Sequence, residues 1–170
     1  MKSRNEQKVW QPYWWSSFIY PTVFSIKALL NEHQSTNNTI IDNALKYLLS
    51  RQSKDGSFKC DVLKTKSVFY TSLVLEMLCQ SPELFKKYEQ KAEKMKDWLL
   101  TKQYDNGAFE STNFLLIPMA STPDKVAPRQ YKLNKAGGTG SITGEVAGLF
   151  STATALKALS NYAQMKNSIA

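Results

Sequence analysis

The sequence predicts an all-α fold: an array of α/α-hairpin repeats, about 2.5 of them. Three observations predict it. A corner motif recurs at one fixed offset, helical segments of two kinds alternate, and no run reads as a strand. Residues 44–58, ALKYLLSRQSKDGSF, align without gaps to residues 95–109, MKDWLLTKQYDNGAF. Tyr47 matches Trp98 and Leu48 matches Leu99, and the triad Gln52, Gly56, Phe58 recurs as Gln103, Gly107, Phe109, all 51 residues apart.

Taken in order, the elements begin with an apolar segment, Thr22 to Leu29, preceded by Phe18 and Tyr20. An amphipathic segment, Asn38 to Arg51, follows and ends in the first corner, where Asp55-Gly56 supplies the positive backbone dihedral of a tight turn. The Gln side chain is suited to bond backbone groups left unpaired at the helix end, and the aromatic after Gly to pack back on the helix. Thr71 to Leu78, after Phe69 and Tyr70, repeats the apolar pattern, and Pro82 to Lys102 repeats the amphipathic one up to a second turn at Asn106-Gly107. A third apolar segment, Thr152 to Leu159, follows Phe150. Segments apolar nearly all round are expected to be inner, buried helices, and those with a polar face outer ones. Short turns between them place neighbours antiparallel. The chain reads as a single domain over residues 1–170, with a long irregular insertion at about 111–143 carrying Pro118, Pro123 and Pro128.

Composition narrows the function classes. The 170 residues are 42% hydrophobic, enough for a buried core. Lys and Arg number 22 against 14 Asp and Glu, a net charge of +8. Much of the excess lies on Lys86, Lys87, Lys91, Lys94 and Lys96, where Glu89, Glu93 and Asp97 interrupt it, the pattern of a solvated helix face. No nucleic-acid partner is expected, because no binding module accompanies the charge. No apolar run reaches the length of a membrane span and the polar N-terminus leads into no signal core, so the expected compartment is the cytosol, with peripheral membrane contact open. Cys60 and Cys79 read as free, buried thiols. With the single His33 they make no metal-ligand spacing, and neither metal nor cofactor is expected.

An aromatic-Leu pair, three residues, Gln, three residues, Gly, one residue and an aromatic resembles the QW repeat of squalene-hopene and oxidosqualene cyclases, and more loosely of protein prenyltransferase β subunits. Phe58 and Phe109 stand where that family usually has Trp. The segments Trp10 to Thr22 and Gly148 to Leu159 also look like cyclase sequence, so the resemblance spans Trp10 to Leu159 apart from residues 111–143. It implies a toroid whose inner helices face an apolar cavity. Two departures limit what it implies about activity. The Asp-x-Asp-Asp acid of type II cyclases is missing, since Asp55, Asp61, Asp97, Asp105 and Asp124 stand singly, and so are zinc ligands of a prenyltransferase. The length is also about half of a ring of roughly six units of about 50 residues. The chain starts at Trp10 as if just after a missing corner, and an open array must be capped or partnered.

Candidate site residues follow. Tyr13, Trp14, Trp15, Phe18, Tyr20, Phe69, Tyr70 and Phe150 are candidates to line an isoprenoid cavity, where aromatic faces hold hydrocarbon and stabilise cations, and core packing accounts for them equally well. Asp105, Glu110 and Glu145 are the weak candidates for a catalytic acid; Asp105 belongs to a repeat turn, and no spacing makes Glu110 or Glu145 an acid. Lys27, Glu76 and Lys157 fall at equivalent inner-helix positions, a charge ladder or a solvated edge. Gly137 to Ser141, with Lys132 and Lys135 nearby, lacks a P-loop ending and reads as a hinge, and His33 as a surface residue.

Three functions stay open: a cyclase-like accessory subunit or binding module for a long apolar ligand, working with a complementary subunit or as a homo-oligomer; a protein-interaction scaffold derived from the fold; or a cyclase subunit with an atypical carboxylate acid.

Overall fold

The computed structural model describes residues 9–10, 12–32, 39–117, 132–134 and 138–169. Six helices dominate the described residues: α1 (Ile19–Asn31), α2 (Thr39–Ser50), α3 (Val68–Leu78), α4 (Pro82–Lys87), α5 (Glu89–Leu100) and α6 (Leu149–Ile169). All eleven residues of α3 are buried. It can be, because α1, α5 and α6 all pack on it, and α6 packs on it most extensively. The expected inner character of α1 and α6 holds for one face only. In α6 just Ser151, Ala155, Ala158 and Tyr162 are buried, while Leu149, Phe150 and Leu156 are exposed.

The all-α expectation is corrected by two small sheets. Strands β1 (Phe58–Lys59) and β2 (Lys66–Ser67) pair antiparallel directly after the first corner. Strands β3 (Asn113–Ile117), β4 (Lys132–Leu133) and β5 (Ser141–Gly144) form a sheet of order β3-β5-β4, with β3/β5 antiparallel and β4/β5 parallel. Both ends of the supposedly irregular insertion are therefore strands. Phe114 and Leu116 explain β3: they alternate inward while their neighbours are half-buried, the two-residue period of a strand covering a core. Pro118, Pro123, Pro128, His33, Lys135 and Gly137 lie outside the described residues. A second correction concerns the outer segment Pro82 to Lys102, which breaks at Tyr88 into α4 and α5. Ser81 caps α4 by accepting the Leu84 N–H at 3.1 Å, and Pro82 starts it, where a missing N–H costs nothing.

The two corners repeat bond for bond. Gln52 Nε2 donates to the Gly56 carbonyl at 3.1 Å, and Gln103 Nε2 to that of Gly107 at 3.2 Å. Ser53 N–H reaches Ser57 O at 2.8 Å, and Tyr104 N–H reaches Ala108 O at 2.8 Å. Asp55 and Asn106 accept the N–H of Ser57 and Ala108. Each corner then hands its aromatic to the next inner helix: Phe58 N–H donates to Thr71 Oγ1 at 2.9 Å, and Phe109 N–H to Thr152 Oγ1 at 2.9 Å. Trp10 N–H makes the same bond to Thr22 Oγ1 at 3.2 Å.

Their surroundings differ. The first corner butts against α5, where Gln52 Nε2 also donates to Lys91 O at 3.0 Å and a Cβ on Gly56 would stand 2.1 Å from Lys94 O. At Gly107 such a Cβ meets nothing within 4 Å. Both glycines have positive φ, +97° and +83°. Gly107→Ala should therefore cost only the left-handed strain, about 1–2 kcal/mol, whereas Gly56→Ala, which must also push the α5 backbone away, should cost at least about 3 kcal/mol. Urea unfolding of the two variants measures the difference; equal costs would mean that the first corner does not press on α5.

Candidate functional site

Rows of side chains at matching levels cross α1, α3 and α6: a threonine row and three more on one face. Thr22, Thr71 and Thr152 are spaced 49 and 81 residues apart, and the same spacing relates Tyr20, Phe69 and Phe150, then Phe24, Leu73 and Thr154, then Lys27, Glu76 and Lys157. Within each helix these three positions follow at i, i+4 and i+7, which puts them on one face. An aromatic row thus lies two turns, about 10 Å, from a charged row.

The aromatic row is extended from outside the helices. Trp15 stacks on Tyr20 with centroids 3.6 Å apart, and on Phe69 and Phe114 at 5.7 and 5.5 Å. Phe114 lies 4.4 Å from Phe69 and meets Phe150 edge-on at 5.9 Å. Backbone bonds hold this layer in place: Ser16 N–H donates to Phe114 O at 2.8 Å and Leu116 N–H to Trp14 O at 2.9 Å. The centre of the face is closed, with Phe69 3% exposed, but its margins are open: Trp14 is 50% exposed, Phe24 42% and Phe150 57%. Tyr13, also exposed, packs edge-on against Trp14 at 5.3 Å.

The other two aromatic candidates sit elsewhere. Tyr70 is fully buried; its hydroxyl lies 3.0 Å from Ser16 Oγ and donates to Phe114 O at 3.3 Å, supporting the layer from behind. Burial holds its hydroxyl well above the ordinary phenol range. Phe18 packs on Tyr47 at the mouth of a polar cavity of about 280 Å³, which Arg51, Lys59, Cys60, Asp61 and Lys64 also line. Asp61 there accepts the Ser17 hydroxyl at 2.6 Å and the Phe18 N–H at 3.1 Å, tying down the start of α1. Burial raises the Asp61 carboxyl above its usual range against those two bonds.

In the charged row, Glu76 Oε1 takes Lys27 Nζ at 2.8 Å and Lys157 Nζ at 3.0 Å. The ladder reading is the right one: Glu76 and Lys27 are nearly buried, with side chains 6% and 16% exposed, and only Lys157, at 63%, meets solvent. Burial pushes the Glu76 carboxyl up, but the two ammonium groups prevail and hold it below the usual range. Burial and this carboxylate push the half-buried Cys79 thiol up to about 12, so it is no nucleophile at neutral pH.

The acid candidates are held apart, and two of them are engaged by partners of their own. Glu145 Oε1 accepts Thr112 N–H at 3.0 Å and Oε2 accepts Ser151 N–H at 2.7 Å, and the Ser151 hydroxyl completes a cap on α6. Glu110 pairs with Lys102 at 2.9 Å, and Asp105 is exposed in the second corner. Among the described residues no group of three His, Cys, Asp or Glu is placed to hold a metal ion. Nor is any helix long and apolar enough to cross a membrane.

No protein-family model matches the sequence, and no curated protein matches it. Solved structures do. A variant of the type II terpene cyclase MstE from Scytonema, in complex with geranylgeranyl dihydroxybenzoate as substrate, superposes with a TM-score of 0.80 at 25% identity, over 96% of this chain and 48% of that one. A second MstE variant, with merosterolic acid A as product, gives 0.77 at 27% identity over 96% and 46%. The ent-copalyl diphosphate synthase of Streptomyces platensis shares the fold alone, with a TM-score of 0.59 at 18% identity over 94% and 25%. The fold is terpene-cyclase-like, and the chain spans about half the length of the MstE structures it matches.

Glu76→Ala should destabilise the chain by about 3 kcal/mol, because it strands the nearly buried Lys27 ammonium. The native Glu76 pKa is depressed, so its stabilisation is present above the unfolded-state carboxylate pKa and is lost as pH falls through the native one. Urea midpoints measured from neutral pH downward should show this acid limb in the wild type and a shallower one in Glu76→Ala; identical limbs would remove Glu76 from the account.

Proposed function

We propose that the chain is an arc of a terpene-cyclase-like α/α toroid that holds a long apolar, isoprenoid-like ligand along its aromatic margin. It acts with a second helical unit that completes the enclosure and carries the acid. One observation carries this reading: aromatic side chains occupy the same level of α1, α3 and α6, with the exposed rings of Trp14, Phe24 and Phe150 at the margins, in a chain that overlays half of a cyclase solved with a geranylgeranyl substrate. Tyr13, Trp14, Trp15, Tyr20 and Phe150 are the ligand-facing residues in this proposal, with the covered Phe69 ring backing them. Their rings would give dispersion contact to a polyprenyl chain, and their faces would favour any cationic character that develops on it. Carboxylates do not suit this margin, and Glu110 and Glu145 already bind Lys102 and the α6 cap. In this proposal the proton donor belongs to the second unit, since the given sequence carries no Asp-x-Asp-Asp motif.

A scaffold function is the second reading, and Phe69 favours it. Its ring is already covered by Trp15 and Phe114, as in an interior filled by its own side chains.

Titration of the purified chain with geranylgeraniol, followed by tryptophan fluorescence, separates the two. Saturable binding is expected, weakened about tenfold, or about 1.4 kcal/mol, by Trp14→Ala and by Phe150→Ala. Both rings are at least half exposed, so the urea midpoint should stay unchanged. Absence of saturable binding would leave the scaffold.

A further inference from the structure

Among the described residues α6 is the last helix. There the second corner lacks the neighbouring helix that the first corner has in α5, and beside it Leu100 and Tyr104 are 48% and 56% exposed. Along α6, Leu149, Ala153, Leu156, Ser160 and Ala163 recur at alternating spacings of four and three, all are exposed, and none is charged. In a chain of net charge +8, an uncharged helical seam of this spacing has the form of a packing surface. At the opposite end α1 offers a shorter seam of Phe24, Ala28 and Asn31, also exposed and uncharged.

These seams invite pairing of two copies, α6 of one against α1 of the next, and the charged row argues against it. The row reads Lys27, Glu76, Lys157, with a lysine at each end and one carboxylate oxygen shared by both. Continuing the array with a second copy in the same register would set its Lys27 beside Lys157. Like charges facing each other across a seam disfavour the pair, and no spare carboxylate of the row lies there to separate them.

We propose that the α6 edge is the docking surface for a different helical half, one whose ladder positions are acidic where this chain is basic. This names the partner required by the function proposed above and rests on that reading. The alternation would then run on through the seam, Lys157 facing a carboxylate that balances the surplus positive charge of the row. Leu149 and Leu156 would be buried by the same contact.

A charge-inverted copy of this chain, Lys27→Glu, Glu76→Lys and Lys157→Glu together, serves as the probe partner. Light scattering at low salt should find the wild type alone at the monomer mass of 19.3 kDa and the equimolar mixture at twice that mass. The mixed pair should bind at least about tenfold more tightly than the wild type binds itself, and added salt should weaken it. Leu156→Glu should abolish the mixed pair without moving the wild-type urea midpoint. If the triple variant does not fold, Lys157→Glu alone keeps the Lys27–Glu76 pair and should self-associate where the wild type does not. A wild type that dimerises as tightly as the mixture overturns the proposal, and so does a folded probe that fails to bind. Neither result touches geranylgeraniol binding, which tests the function separately.

Discussion

One hydrogen bond sets the geometry of everything else. At the end of each corner an aromatic residue donates its backbone N–H to the hydroxyl of a threonine on the following inner helix. A bond between a fixed amide and a short side chain fixes how far along its axis that helix stands. The loop in between is irrelevant: Phe58 and Thr71 are 13 residues apart, Phe109 and Thr152 are 43 apart, and both bonds measure 2.9 Å. A long insertion is tolerated because chain closure costs little extra per added residue and the clasp restores the register. Once the threonines are level, the aromatic row above them and the charged row below them are level too. The aromatic face is a consequence of the clasp.

The same alignment explains how α3 stays buried while carrying an acid. A lone carboxylate inside a helix layer would be costly, and Glu76 is tolerated because both flanking helices deliver an ammonium at the same height. Shift either helix by one turn and the charge loses a partner. The row therefore tolerates only the register that the clasps impose.

Much of this was legible in the sequence because it repeats. The offset of 51 located both corners, and the threonine register placed Lys27, Glu76 and Lys157 at one level before any coordinates. What escaped has physical causes. The strand Asn113–Ile117 is five residues long with only Phe114 and Leu116 turned inward, too short for a period of two to stand out beside Leu115 and Ile117. Phe114 was missed with it, although it closes the aromatic face. Phe24 reads as one more apolar residue in an apolar helix; only the level of the rows marks it. Tyr70 looks like its neighbour Phe69, yet successive helical residues point about 100° apart, so one ring enters the core and the other the face. Asp61 gives no signal by spacing, because its partners Ser17 and Phe18 come from 44 and 43 residues away.

The direct test of the account is native-state hydrogen exchange at the amides of Phe58 and Phe109. Both follow glycine turns at the ends of helices, where loop amides exchange through local opening. If the clasps define the register, these two amides should exchange only as slowly as the buried amides of α3, in the globally unfolding class, and should do so together. Exchange at the rate of the exposed corner amides at Asp105 and Asn106 would show that the helices are aligned by something else, and the aromatic and charged rows would lose their cause.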